Sequence, residues 1–170
     1  MKSMKLSKVA VALIAVAGSL SASSLYAQNA HFIRATGTIN NDGEYVAVWK
    51  EAGLGANQNI DYLLSAGAGT QFTYQCYTKS NNAPRGAPNN VFPSSLQTAG
   101  TFSSGKNGTI TGSLILVPEP DGGCQGGGLK LCLDHVSYQN VVLTDDTNDV
   151  SINLPSLIKS FVVDSRPTNC

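Results

Sequence analysis

Residues 44–78 read EYVAVWKEAGLGANQNIDYLLSAGAGTQFTYQCYT, and the period of this stretch decides the fold class. Tyr45, Ala47 and Trp49 alternate with Val46, Val48 and Lys50, the pattern of a strand with one face buried. Gly53 and Gly55 then interrupt the run, and Asn57, Gln58 and Asn59 favour a turn. Ile60, Tyr62 and Leu64 alternate with Asp61, Leu63 and Ser65, and after AGAGT so do Phe72, Tyr74 and Cys76 with Thr73, Gln75 and Tyr77. The expectation is a three-strand meander with a strong core face. The stretch holds the one tryptophan and carries no catalytic signature.

On the N-terminal side, residues 29–40 (NAHFIRATGTIN) read as a strand, and NNDG at 40–43 as the turn of a hairpin. On the C-terminal side, residues 79–95 hold Pro84, Pro88 and Pro93, which argue against a regular element. That segment is expected to cross between sheets, with Val91 and Phe92 tucked onto the core. Residues 96–103 and 109–117 read as a second hairpin. The longest strand-like run, residues 129–144, keeps Val136 and Tyr138 on the face of Leu129, Leu131 and Leu133 only if a β-bulge adds one residue near Asp134–His135. DDTND at 145–149 is a turn, Val150, Ile152 and Leu154 open a last strand, and Pro155 interrupts it. About seven to nine short strands with regular turn signals predict an all-β antiparallel sandwich, Ig-like or Greek-key, with a barrel as the runner-up.

Residues 1–27 have the tiers of a secretory leader: Lys2, Lys5 and Lys8, the apolar run VAVALIAVAG, then small residues up to Ala27. The apolar run is shorter than the about 18 residues a membrane span needs. Cleavage is expected between Ala27 and Gln28, leaving one domain over 28–170 in the periplasm or outside the cell and no integral membrane segment. It would remove three of the eleven basic residues and leave eight against eleven acidic, a net charge near −3. The basic residues are scattered singly, so nucleic acid is excluded as a partner class.

Four cysteines, Cys76, Cys124, Cys132 and Cys170, in an oxidising compartment predict two disulfides, for which three pairings exist. Cys124 and Cys132 are too far apart in sequence for paired zinc ligands. The runs EAGLG…NIDYLLSA…TYQCY, GTFSSGKNGTITGSL and VSYQNVVLTD resemble small secreted bacterial proteins of uncharacterised function. The resemblance covers most of residues 35–150 and implies an exported, single-domain β-protein with no activity to carry over. It also implies that Cys76 and Cys124 match cysteines of that group, leaving Cys132 and Cys170 as an added pair. Strand phase favours the same Cys76–Cys124 and Cys132–Cys170 pairing, with the RPTNC tail laid across an outer sheet face. Cys124–Cys132 with Cys76–Cys170 is the rival.

Candidate chemistry is sparse. His31, His135 and Asp134 lack a GxSxG elbow or any serine that stands out. Glu51 and Asp61 flank one turn and form a candidate carboxylate pair for glycoside hydrolysis. Asp145, Asp146 and Asp149 offer hard oxygen ligands for Ca²⁺, the one cofactor suggested, though without the EF-hand spacing. Tyr77, out of phase with Phe72 and Tyr74, is the candidate exposed aromatic for stacking on a sugar. The expected function is a binding, adhesive or structural module for a surface glycan or protein ligand. A small exported hydrolase and a calcium-stabilised surface module are the alternatives.

Overall fold

The computed structural model describes residues 29–163 and 166–170; the expected leader and the Ala27/Gln28 junction lie outside the described residues. Strands follow one another as β1 (His31–Ile39), β2 (Tyr45–Ala52), β3 (Asn59–Ala66), β4 (Gln71–Thr78), β5 (Pro84–Val91), β6 (Leu96–Ser103) and β7 (Thr109–Leu116). Then come β8 (Leu129–Tyr138), β9 (Val142–Asp145), β10 (Val150–Asn153), β11 (Leu157–Ser160), β12 (Val162–Val163) and β13 (Arg166–Pro167). They make a first sheet β1-β2-β7, a second β10-β9-β3-β6, a third β11-β8-β4-β5 and a small β12-β13 ribbon, all antiparallel. The three sheets enclose one apolar core and do not close into a barrel, an arrangement consistent with a β-sandwich.

The meander expected from residues 44–78 is not formed. β2, β3 and β4 enter three different sheets and take an inner position in each. The connections explain this. Between β2 and β3, Gly53 and Gly55 adopt φ of 77° and 73°, and Leu54 between them is buried in the core. The chain is thereby turned across the edge of the sandwich instead of back along its own sheet. The second expected hairpin is corrected in the same way, since β6 lies in the second sheet and β7 in the first. Its corner sits against the β2–β3 corner. Leu54 N–H donates to Gly108 O (3.1 Å), Ser104 N–H to Gln58 O (2.9 Å), and Ser104 Oγ to Gly55 O (2.6 Å).

The expected long strand over 129–144 also divides between sheets, β8 in the third and β9 in the second, with Asn140 at φ 50° in the break. The bulge forms at Asp134: Thr73 pairs with His135 and Tyr74 with Leu133, leaving Asp134 as the extra residue. Leu133, Val136 and Tyr138 consequently all reach the core. Residues 84–91 do form a strand despite their prolines. β5 is an outer strand, paired only to β4, and its register skips residues 86–88 opposite Gln75, where Pro88 needs no ladder bond. Val91 packs on the core as expected, but Phe92 is 65% exposed.

Aromatic rings fill both halves of the core. Trp49 lies 4.8 Å from Tyr62 and 5.1 Å from Phe102, centroid to centroid, while Tyr138 contacts Tyr45 and Phe72 at 5.3 and 5.4 Å. Gly112 pairs directly with Trp49, and a Cβ there would stand 2.6 Å from Trp49 Cζ2, so any side chain would have to push the indole aside. Two buried tyrosine hydroxyls are satisfied by backbone: Tyr45 donates to Pro155 O (2.9 Å) and Tyr138 to Gly43 O (2.7 Å).

Disulfides join Cys76 to Cys124 and Cys132 to Cys170. The C-terminal tail does not lie across a sheet face. After the β12-β13 ribbon, closed by Thr168 N–H to Phe161 O (2.7 Å), it resumes the edge beside β8, with Leu133 N–H donating to Asn169 O (2.8 Å). Two disulfides are the chemistry of an oxidising, extracytoplasmic compartment.

Candidate functional site

Two places gather polar groups. The first is inside. Tyr45, Ala47, Trp49 and Glu51 are the inward-facing residues of β2, so the strand's own period drives a carboxyl into the core. Leu143 and Asp145 do the same on β9, and Asp145 is the cross-strand partner of Tyr62 on β3. Glu51 and Asp145 are both 0% exposed. Tyr62 Oη donates to Glu51 Oε2 at 2.7 Å, and Asp145, which sits opposite Tyr62 in the β3–β9 ladder, brings a second carboxyl to the same enclosed region. Asp145 Oδ1 accepts the backbone N–H groups of Thr147 and Asn148 (both 2.9 Å), and Oδ2 accepts Asn148 Nδ2 (2.7 Å). Burial pushes the Glu51 carboxyl from the ordinary range up to about 7; Tyr62 opposes this, Asp145 adds to it, and His31 opposes it weakly. Trp49 Nε1 lies near the Tyr62 oxygen without reaching hydrogen-bond geometry.

This arrangement corrects two site expectations. Glu51 does not pair with Asp61, because Asp61 and Tyr62 are neighbours on β3 and point to opposite faces. Asp61 is exposed and accepts the Thr101 hydroxyl at 2.6 Å. Asp145, Asp146 and Asp149 do not converge on a cation either. Asp145 turns inward and its oxygens are taken by the turn it caps, while Asp146 and Asp149 face solvent. Among the described residues, no three His, Cys, Asp or Glu side chains gather as metal ligands.

The hydrolase candidates remain apart. His31 opens β1, exposed, with Nδ1 2.7 Å from Asn29 O. His135 sits on β8 between Thr73 and Ser160 in the ladders, and its neighbour Asp134 accepts the Tyr77 hydroxyl at 2.8 Å. Tyr77 is therefore no sugar platform. It is 4% exposed, held on the third sheet by that bond.

The second place is an open cleft of about 260 Å³ between the β1–β2 turn, the segment after β7 and the inner side of the third sheet. Tyr74, Leu131 and Leu133 form its floor, and Val117, Pro118 and Pro120 one wall. Asp42 and Glu44 stand on its rim, and Asn169 and Cys170 close it from the tail. Tyr74 is 6% exposed. Burial, then the charge of nearby Glu119, pushes its hydroxyl up to about 12. That hydroxyl has no hydrogen-bond partner among the described residues.

The cleft was missed in the sequence because its parts come from positions 42–44, 74, 117–120, 131–133 and 169–170. Glu51 was within reach: it follows Tyr45, Ala47 and Trp49 in strict alternation. No protein-family model, no curated protein and no solved structure matches the chain.

Proposed function

We propose that this protein is a secreted or periplasmic binding module without catalytic activity, and that its ligand site is the cleft over Tyr74, Leu131 and Leu133. The observation that carries the reading is the sealing of Glu51 and Asp145. Both carboxyls are wholly enclosed, so they meet no substrate. The cleft, by contrast, combines an apolar floor with a few polar groups, the usual composition of a ligand site.

The acidic rim of Asp42 and Glu44, with Glu119 close to Tyr74, favours a ligand that has an apolar body and a positive charge. A lysine or arginine side chain of a partner protein has that form. The leader-like residues 1–27, the two disulfides and the resemblance to small secreted bacterial proteins support the extracytoplasmic setting.

Titration of labelled protein with N-acetyl-lysine methylamide, followed by amide chemical shifts, tests the reading. Shifts are expected at Glu44, Leu131, Leu133 and Asn169, with smaller ones from the neutral N-acetyl-norleucine methylamide. Equal shifts from both compounds would remove the charge preference. No shift from either would remove the cleft as the site.

A further inference from the structure

We infer that Glu51 and Asp145 hold a single proton between them, making a carboxyl–carboxylate latch that ties the first sheet to the second and releases as that proton is lost. This goes beyond the binding function and does not depend on it.

The geometry carries the inference. Glu51 Oε1 is buried and has no partner as an ionised oxygen. An unpaired buried carboxylate oxygen is costly, and two enclosed carboxylates side by side more so. A proton on Oε1 removes both difficulties at once, because the resulting O–H can be donated to Asp145. Asp145 has room for it: its Oδ1 already accepts two N–H groups, while Oδ2 accepts one. The other Glu51 oxygen accepts from Tyr62. Every oxygen of the cluster then has a partner.

The surroundings agree in sign. Tyr62 from β3 bonds Glu51, and the charges of Asp145 on β9 and His31 on β1 act on it, with Trp49 on its own strand. Burial, the first cause, raises the Glu51 pKa from 4.5 to about 7. The native protein therefore binds one more proton than the unfolded chain between those values. The latch's contribution is full below about 4.5 and is lost as pH rises through about 7. Because Glu51 belongs to β2 and Asp145 and Tyr62 to β9 and β3, the bond lost is the one between sheets.

Chemical denaturation from pH 4.5 to 8 is the test, run on the native protein and on Glu51→Gln. A glutamine amide can donate to Asp145 and accept from Tyr62 without a titrating proton. The folding constant of the native protein should fall by up to tenfold per pH unit within the window, and Glu51→Gln should lose that slope. The difference should survive His31→Gln. An equal slope in Glu51→Gln and the native protein overturns the latch.

A second measurement needs no variant. The chain has three glutamates, Glu44, Glu51 and Glu119, so side-chain carboxyl labelling gives three signals. One should remain protonated at pH 6. Three ionised glutamates at that pH would equally overturn the inference.

Discussion

The enclosed acid cluster and the open cleft are built from the same materials and do opposite work. Each sets carboxyl groups beside a tyrosine: Glu51 and Asp145 with Tyr62, and Asp42, Glu44 and Glu119 around Tyr74. In the first, Tyr62 donates to a carboxyl and nothing reaches water, so the groups settle their charge by holding a proton. In the second, the Tyr74 hydroxyl has no partner among the described residues, Asp42 and Glu119 face solvent and Glu44 is half-buried, so their charge stays in contact with water. Access to water, more than residue type, separates an enclosed acid cluster from a charged rim.

Breaking this contrast begins with the tail. Replacing Cys132 and Cys170 by serine opens a ring of 38-residue separation and should cost about 4 kcal/mol by loop-closure entropy. Since Asn169 and Cys170 close the cleft, the variant should also lose the lysine-amide shifts, while the native Glu51-dependent pH slope persists. Denaturant unfolding paired with the ligand titration reads both.

The acid cluster has the next largest effect. The raised Glu51 pKa corresponds to stability on the order of 3 kcal/mol, present at pH 4.5 and lost by about pH 8. Urea midpoints across that range should decline with pH, opposite in direction to ordinary acid denaturation.

A smaller change sharpens the comparison within the core. Gly112→Ala should destabilise by about 1–3 kcal/mol through overpacking against Trp49, and should alter the emission of that single tryptophan. Near the cleft, Tyr74→Phe and Glu44→Gln should change stability by less than about 0.5 kcal/mol yet weaken the lysine-amide response. Millimolar Ca²⁺ should leave the melting temperature where a chelator leaves it, because Asp145 faces inward and caps its own turn.

Period-two reasoning read faces well and neighbours badly. Alternation put Tyr45, Ala47 and Trp49 inside, and the need to keep Val136 and Tyr138 on the core face located a bulge at Asp134. It could not say which strands would pair, because alternation along a strand is the same in any sheet. The assignment of β2, β3 and β4 to three sheets rests instead on corners such as Leu54, whose burial is tertiary. Glu51 was legible by phase, but a carboxyl at a strand end is normally solvated, and that expectation outweighed the alternation. The cleft was illegible because its floor and walls come from distant segments.

The placing of β2, β3 and β4 in separate sheets also sets a timetable. Tyr45 on β2 pairs with Leu116, Tyr62 on β3 with Asp145, and Phe72 on β4 with Val136. None of the three central strands can complete its sheet until chain from well beyond it has arrived. Contacts of such long sequence separation slow folding, to milliseconds or seconds for β-proteins of this kind. The first half of the chain can form the β1–β2 pair but has no sheet it can finish alone. The core between the sheets therefore stays open until β7, β8 and β9 are in place.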